Sequence, residues 1–248
     1  MQLSLVSYIN TRPFIDGLNR HFSPEELQIT PLPPAKCAQN LLQKEAAIAL
    51  IPVGALLSFE KIMLLPNYCI GSDGAVNSVF IFSQKPIEEI DSLILDRHSR
   101  SSNGLAKILM RRYWQKKAAF ISSEEQHFEA ITGNTAGVVI GDKALKIRHN
   151  YKYAYDLGEY WRKLTSLPFA FAVWAYYEAA VSPEMLTRIQ TALKDGVANR
   201  AQTALTSAAE YGLTPESALC YLTQDIQYEF TYQRQQAVDL YLKWLAAL

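Results

Sequence analysis

The sequence predicts an α/β fold in two lobes, and three observations carry that expectation. Strand-like and helix-like segments alternate from the first residues. An unbroken apolar run at 47–53 (AIALIPV) is of the kind buried on both faces of a parallel sheet. A second alternating set recurs at 86–150. The chain has 248 residues, 49% hydrophobic and 19% charged, which excludes a disordered chain. At about 150 residues per domain, this length holds one large or two small domains. Its 24 basic and 24 acidic residues leave a formal net charge of zero, so no global field draws it to nucleic acid or an anionic membrane.

Residues 3–7 read as the first strand. Asn10 and Thr11 then stand just before Pro13, which is helix-start chemistry for a helix at 14–21. A strand at 27–32 is stopped by Pro33 and Pro34. A helix at 35–45, the strand at 47–53 and a helix from 54 to 59 follow. After 63–68 comes a turn-rich stretch, Gly71, Ser72, Asp73 and Gly74, and then a strand at 76–83. The second set comprises a strand at 92–95, a polar loop at 96–103, an amphipathic helix at 104–116 and a strand at 118–121. It continues with a short helix at 128–132, a strand at 136–140 and a helix at 143–148. A short strand at 154–157 and a helix at 159–165 lead into the aromatic-rich 167–177, read as a strand running into a helix. From 183 onward the pattern is helical throughout, at 184–211, 215–222 and 225–248. A chain that crosses to a second lobe and returns explains this order. One lobe is then 1–83 with 172–248, the other is 84–171, and a ligand cleft lies between them.

The longest apolar run, 167–177, is 11 residues with a proline at its second position, too short to span a membrane. The N-terminus lacks a basic segment and apolar core of the secretory type, so a cytoplasmic protein is expected. Cys37, Cys69 and Cys220 are widely spaced and read as buried free thiols. His21, His98, His127 and His149 include no HExxH pair, so no metal site is expected.

Four clusters could bind or act on a ligand. Tyr8, Asn10, Thr11 and Pro13 follow the first strand, where α/β folds place ligands; an ordinary helix cap is the alternative. Ser72 and Ser78 flank a glycine turn with Asn77, where backbone can approach a ligand closely; a plain turn before a strand is the alternative. Ser99, Arg100, Ser101, Ser102 and Asn103 precede a helix, whose N–H groups and dipole favour an anion; capping alone would also explain them. Gly141 and Asp142 precede another helix, with Asp142 as its N-cap. Arg111, Arg112, Lys116 and Lys117 read as a solvated basic face, and the aromatic residues Tyr228, Phe230, Tyr232, Tyr241 and Trp244 as core. No GxSxG, dinucleotide GxGxxG or kinase motif set is present. A reaction here would rest on binding, orientation and hydrogen bonding.

Six segments occur together in one order: VSYINTRP at 6–13, IPVGAL at 51–56, GAVNSVFIFS at 74–83, LDRHSRSSNGLAKIL at 95–109, IGDKAL at 140–145 and YDLGEYWRKLTSLPFAFAVW at 155–174. In this the chain resembles the chorismate-dehydrating enzymes of the futalosine route to menaquinone, across about residues 1–178. The last segment is the longest and most specific. The resemblance implies a type II periplasmic-binding-protein fold used as an enzyme, with chorismate as small-molecule substrate and no metal or organic cofactor. It implies Asn10 and Ser78 as catalytic groups and Ser101, Ser102 and the amides near Asn103 as a carboxylate clamp. Tyr8, Pro13 and Phe169 would be apolar walls. The sister lyase acting on cyclic dehypoxanthine futalosine opens with a Ser-Pro-Cys-Pro-Asn-Asp-type motif that this chain lacks. A non-enzymatic solute-binding or sensor protein on the same scaffold is the other alternative.

Overall fold

The computed structural model describes residues 1–97, 99–122 and 128–248. The chain begins with β1 (Gln2–Val6) and, after a 3-10 turn at Ile9–Thr11, α1 (Arg12–His21), whose first turn holds Pro13 with its preset φ. Next come β2 (Gln28–Leu32), α2 (Pro34–Leu42) and β3 (Ile48–Pro52), the last buried at every residue as its apolar run requires. A 3-10 segment at Val53–Ser58 leads to β4 (Met63–Ser72). The middle of the chain carries β5 (Val79–Ser83), β6 (Ser92–Leu95), α3 (Arg100–Arg112), β7 (Ala119–Ser122), β8 (Thr135–Ile140), α4 (Asp142–Ile147), β9 (Tyr153–Asp156), α5 (Leu157–Thr165) and β10 (Phe169–Tyr176). The remainder is α6 (Pro183–Ala198), α7 (Arg200–Ser207), α8 (Pro215–Cys220), a π-helical turn at Tyr221–Asp225, β11 (Gln227–Phe230) and α9 (Tyr232–Leu245).

Several elements differ from the sequence expectation for local reasons. The C-terminal region is not helical throughout. Gln227–Phe230 is a strand because Tyr228 is buried between exposed Gln227 and Glu229, and it pairs antiparallel with β4. The helix expected from 104 starts at Arg100, since the Ser99 hydroxyl accepts the Ser102 N–H at 3.2 Å. The strand expected from 76 starts at Val79, because Asn77 sits at φ 56° and interrupts the extended run.

The chain divides into two compact units. The first is Met1–Gly71 with Ala170–Tyr232, and the second is Ser72–Phe169 with Gln233–Leu248. The crossings therefore fall at 71/72 and 169/170 rather than at 83/84 and 171/172, and the last helix leaves the first unit for the second.

In the first unit the sheet order is β11-β4-β10-β3-β1-β2, with β1 parallel to β2 and β3, and β10 antiparallel to β3. The Phe14 ring packs edge-on against Trp174 at 5.6 Å and Tyr228 at 5.4 Å. Helices α1 and α6 touch backbone to backbone: a Cβ on Gly17 would lie 2.1 Å from the Ala192 carbonyl oxygen, and one on Gly196 would lie 2.0 Å from that of Pro13.

In the second unit the order is β7-β6-β8-β5-β9, with β6 parallel to β7 and β8, and β5 antiparallel to β8 and β9. Phe80 and Phe82 stack at 5.0 Å in a core shared with Val139 and Ala144. Tyr241 of α9 packs 5.2 Å from Phe169, and its hydroxyl donates to the Ser101 carbonyl at 2.9 Å, which is why α9 belongs here.

Cys37 and Cys69 are buried free thiols as expected, whereas Cys220, at the end of α8, is exposed. Among the described residues no helix is long and apolar enough to cross a membrane.

Candidate functional site

In the first unit, β1 and β3 run parallel, and the chain leaving β1 forms the turn that carries Tyr8, Asn10 and Thr11. Thr11 does not cap α1. It is fully buried, and its hydroxyl donates back to the Val6 carbonyl and, at 2.8 Å, to that of Tyr8. Pro13 is buried, and its main-chain carbonyl lies against α6 at Gly196. Tyr8 is partly exposed.

Asn10 is different. It is 8% exposed, its Nδ2 donates to the Tyr221 hydroxyl at 3.1 Å, and the Tyr228 hydroxyl donates to its main-chain carbonyl at 3.1 Å. Burial holds the Tyr228 phenol well above its usual pKa, so it stays a donor. The Asn10 Oδ1 is buried and accepts no hydrogen bond among the described residues. A buried acceptor left unmade costs about 1–3 kcal/mol, an arrangement that a ligand or water donor would relieve.

In the second unit, β6 and β8 end at Leu95 and Ile140, while β5 runs the other way from Val79, which is paired with Ile140. Ser78, Gly141 and the approach to α3 thus share the carboxyl end of the sheet, where α/β folds bind ligands. The Gly141 N–H donates to the Ser78 carbonyl at 2.8 Å. Gly141 has φ 68° and ψ −154°, a conformation open to glycine, and it is Gly141 rather than Asp142 that takes the N-cap position of α4. Asp142 is the first residue of that helix and partly exposed, while Ser78 is 1% exposed.

The turn before Ser78 is held by Asp156, which the site reading of the sequence missed. This buried carboxylate, at the N-cap of α5, accepts N–H bonds from Val76 at 3.0 Å, Asn77 at 2.7 Å, Gly158 at 2.9 Å and Glu159 at 3.1 Å. Burial pushes its pKa up to about 6, against the opposite pull of those four donors. The Asp-x-x-Glu spacing of 156–159 before a helix was a readable capping signal; the reach to 76–77 was not. Ser72 serves the same turn: fully buried, it donates to the Gly74 carbonyl at 2.9 Å. Arg148, also missed, donates from Nη1 to the Asn77 Oδ1 at 2.8 Å.

At α3, Ser101 and Ser102 are buried in the first turn. Both ends of the Asn103 amide are committed to the Asp96 main chain, Oδ1 accepting from its N–H at 3.0 Å and Nδ2 donating to its carbonyl at 2.7 Å, so this side chain closes the loop. Phe169 is buried, packed 5.1 Å from Trp161 and 5.2 Å from Tyr241. Of the residues read from sequence, Tyr8 and Asn10 in the first unit and Ser78, Ser101, Ser102, Gly141 and Asp142 in the second keep positions compatible with a ligand role. Thr11, Ser72 and Asn103 have side chains hydrogen-bonded within the fold, and Pro13 and Phe169 are buried. Among the described residues no three His, Cys, Asp or Glu side chains gather as a metal set; His98 and His127 lie outside those residues.

The chorismate dehydratase of Thermus thermophilus is 25% identical to this chain, over 98% of it and 93% of that protein. Among solved structures, protein AF1704 of Archaeoglobus fulgidus superposes with a TM-score of 0.76 at 15% identity, covering 99% of this chain and 95% of that one. The Candida albicans CA3427 product, described as having the generic periplasmic binding protein fold, superposes at 0.71 and 10% identity over 100% of this chain and 90% of that one. The family described as menaquinone biosynthesis matches residues 1–247. The expected fold class and the resemblance read from the six segments both stand, and the chain belongs to the menaquinone biosynthesis family, on a periplasmic-binding-protein-like fold.

Proposed function

We propose that the protein is a chorismate dehydratase, a hydro-lyase that converts chorismate to 3-[(1-carboxyvinyl)oxy]benzoate and water on the futalosine route to menaquinone, acting in the cytoplasm. The observation that carries this reading is the similarity to a chorismate dehydratase along 98% of the chain.

The chemistry asks for positioning above all. The ring carbon bearing the enolpyruvyl ether loses its proton, and that C–H electron pair enters the ring. The neighbouring C–O bond breaks with its pair on the hydroxyl, and proton and hydroxide leave as water. Aromatisation drives the step, so the protein's task is to hold one conformer and to hydrogen-bond the departing oxygen. The substrate's own enolpyruvyl carboxylate takes the ring proton. Asn10 supports the holding of one conformer: its Nδ2 is fixed on Tyr221, and its Oδ1 can accept from the ring hydroxyl and so orient it. Ser78 follows a turn made rigid by Asp156, and its hydroxyl donates to the leaving oxygen. Ser101 and Ser102, in the first turn of α3, hold a carboxylate where the helix dipole favours an anion. Tyr8 shields the ring.

The experiment is chorismate consumption followed by absorbance, with product mass. Wild type is expected to form the enolpyruvyl benzoate. Asn10→Ala and Ser78→Ala are each expected to lose well over tenfold in kcat/KM, the loss at Ser78 in line with about 10²–10³ for a well-placed donor. Asp142→Asn is expected to keep most activity; its inactivity in a folded protein would move the base from substrate to protein. Binding of chorismate without turnover would instead establish a solute-binding protein, and turnover of cyclic dehypoxanthine futalosine the sister lyase.

A further inference from the structure

We infer that Arg148 is the cationic contact for one carboxylate of the substrate, an assignment that rests on the dianionic-substrate reading above. The ligand-compatible residues read from sequence are hydroxyls, an amide, a glycine and one acid. None offers positive charge to a molecule with two carboxylates. The structure brings one to Asn77, the neighbour of Ser78.

Arg148 directly follows α4, in a 3-10 turn at Arg148–Asn150, and is exposed. Two contacts hold its guanidinium. Nη1 donates to the Asn77 Oδ1 at 2.8 Å, and the guanidinium carbon lies 5.3 Å from the centre of the buried Phe80 ring. Asn77 is itself fixed, its N–H on Asp156 at 2.7 Å and its φ at 56°. The charge is therefore anchored through the residue next to Ser78, whose carbonyl holds Gly141.

Among the described residues Arg148 forms no ion pair, in contrast to Arg162, which meets Asp73 of the same turn at 3.2 Å. A guanidinium has five N–H donors in a planar fork matched to a carboxylate. Here one donor is engaged by Asn77 and the plane is steadied by Phe80, so part of the ordering needed to bind an anion is already in place. Neither contact neutralises the charge. Stacking on Phe80 would suit a methionine nearly as well, so a purely structural role and a ligand role make different forecasts.

The test compares chorismate kinetics of wild type, Arg148→Met, Arg148→Lys and Asn77→Gly, the last keeping the positive φ while removing the amide. Arg148→Met is expected to raise KM about 10- to 100-fold, the worth of a charged hydrogen-bonded contact, with kcat within about threefold. Arg148→Lys recovers part of the loss, and Asn77→Gly gives a smaller KM rise that vanishes in the Arg148→Met background. A KM within about twofold of wild type in folded Arg148→Met overturns the assignment. If wild type leaves chorismate unchanged, the dehydratase reading fails on its own, and calorimetric titration with isophthalate decides Arg148 instead. Binding that is lost in Arg148→Met upholds the assignment; equal behaviour of the two proteins, including no binding by either, overturns it.

Discussion

At Asn10 the amide nitrogen has a partner, the Tyr221 hydroxyl, and the oxygen has none among the described residues. Tyr221→Phe removes the acceptor and leaves a second buried polar atom unmatched, so a stability loss of about 1–3 kcal/mol is expected in urea unfolding. Asp156 allows a test by pH. Its folded pKa of about 6 lies above the usual unfolded value of about 4, so the folded form holds the proton more tightly between the two. The stability this contributes is full below about pH 4 and is lost as pH rises through about 6. Unfolding midpoints of wild type relative to Asp156→Asn are expected to fall across that window and to level off above about pH 7; a rise would reverse the assignment. Asn10 and Ser78 could be singled out as candidates because helix-start and turn residues stand out locally. Tyr221, Tyr228 and the span from Asp156 to Val76 were not, because hydrogen bonds between residues 80 to 218 positions apart leave no local pattern.

Most helices and strands followed from periodicity and from the proline, glycine and serine punctuation around them. The clearest failure, β11, came from a four-residue segment whose strand pairing with β4 outweighs the helical spacing of its neighbours. The contact of α1 with α6 gives the sharpest forecast at this scale. Gly17→Ala puts a methyl 2.1 Å from the Ala192 carbonyl oxygen, and neither backbone can yield without separating the helices. A loss of about 2–4 kcal/mol is expected, read as a lowered midpoint in thermal or urea unfolding. Ser99→Ala, which removes only the hydroxyl that caps α3, is expected to cost about 1 kcal/mol by the same measurement.

For the chain as a whole, two α/β sets joined without a linker were readable as two units with a crossing and a return. The ownership of the tail was not, since it is decided by contacts such as Tyr241 with Phe169 and Ser101. Ending the chain at Tyr232 removes those contacts, exposes Trp161 and Phe169 and leaves the Ser101 carbonyl without its donor. Such a truncated protein is expected to lose near-ultraviolet circular dichroism and cooperative unfolding, the signature of a core that no longer packs.

The placement of α9 also bears on how the protein is made. Strands of the second unit leave the ribosome well before residues 233–248, yet that unit takes α9 from those later residues. The nascent polypeptide must therefore wait, with Trp161 and Phe169 uncovered, until residues 233–248 have been made. A stalled ribosome or an early stop codon would release a chain exposing aromatic surface to chaperones and proteases.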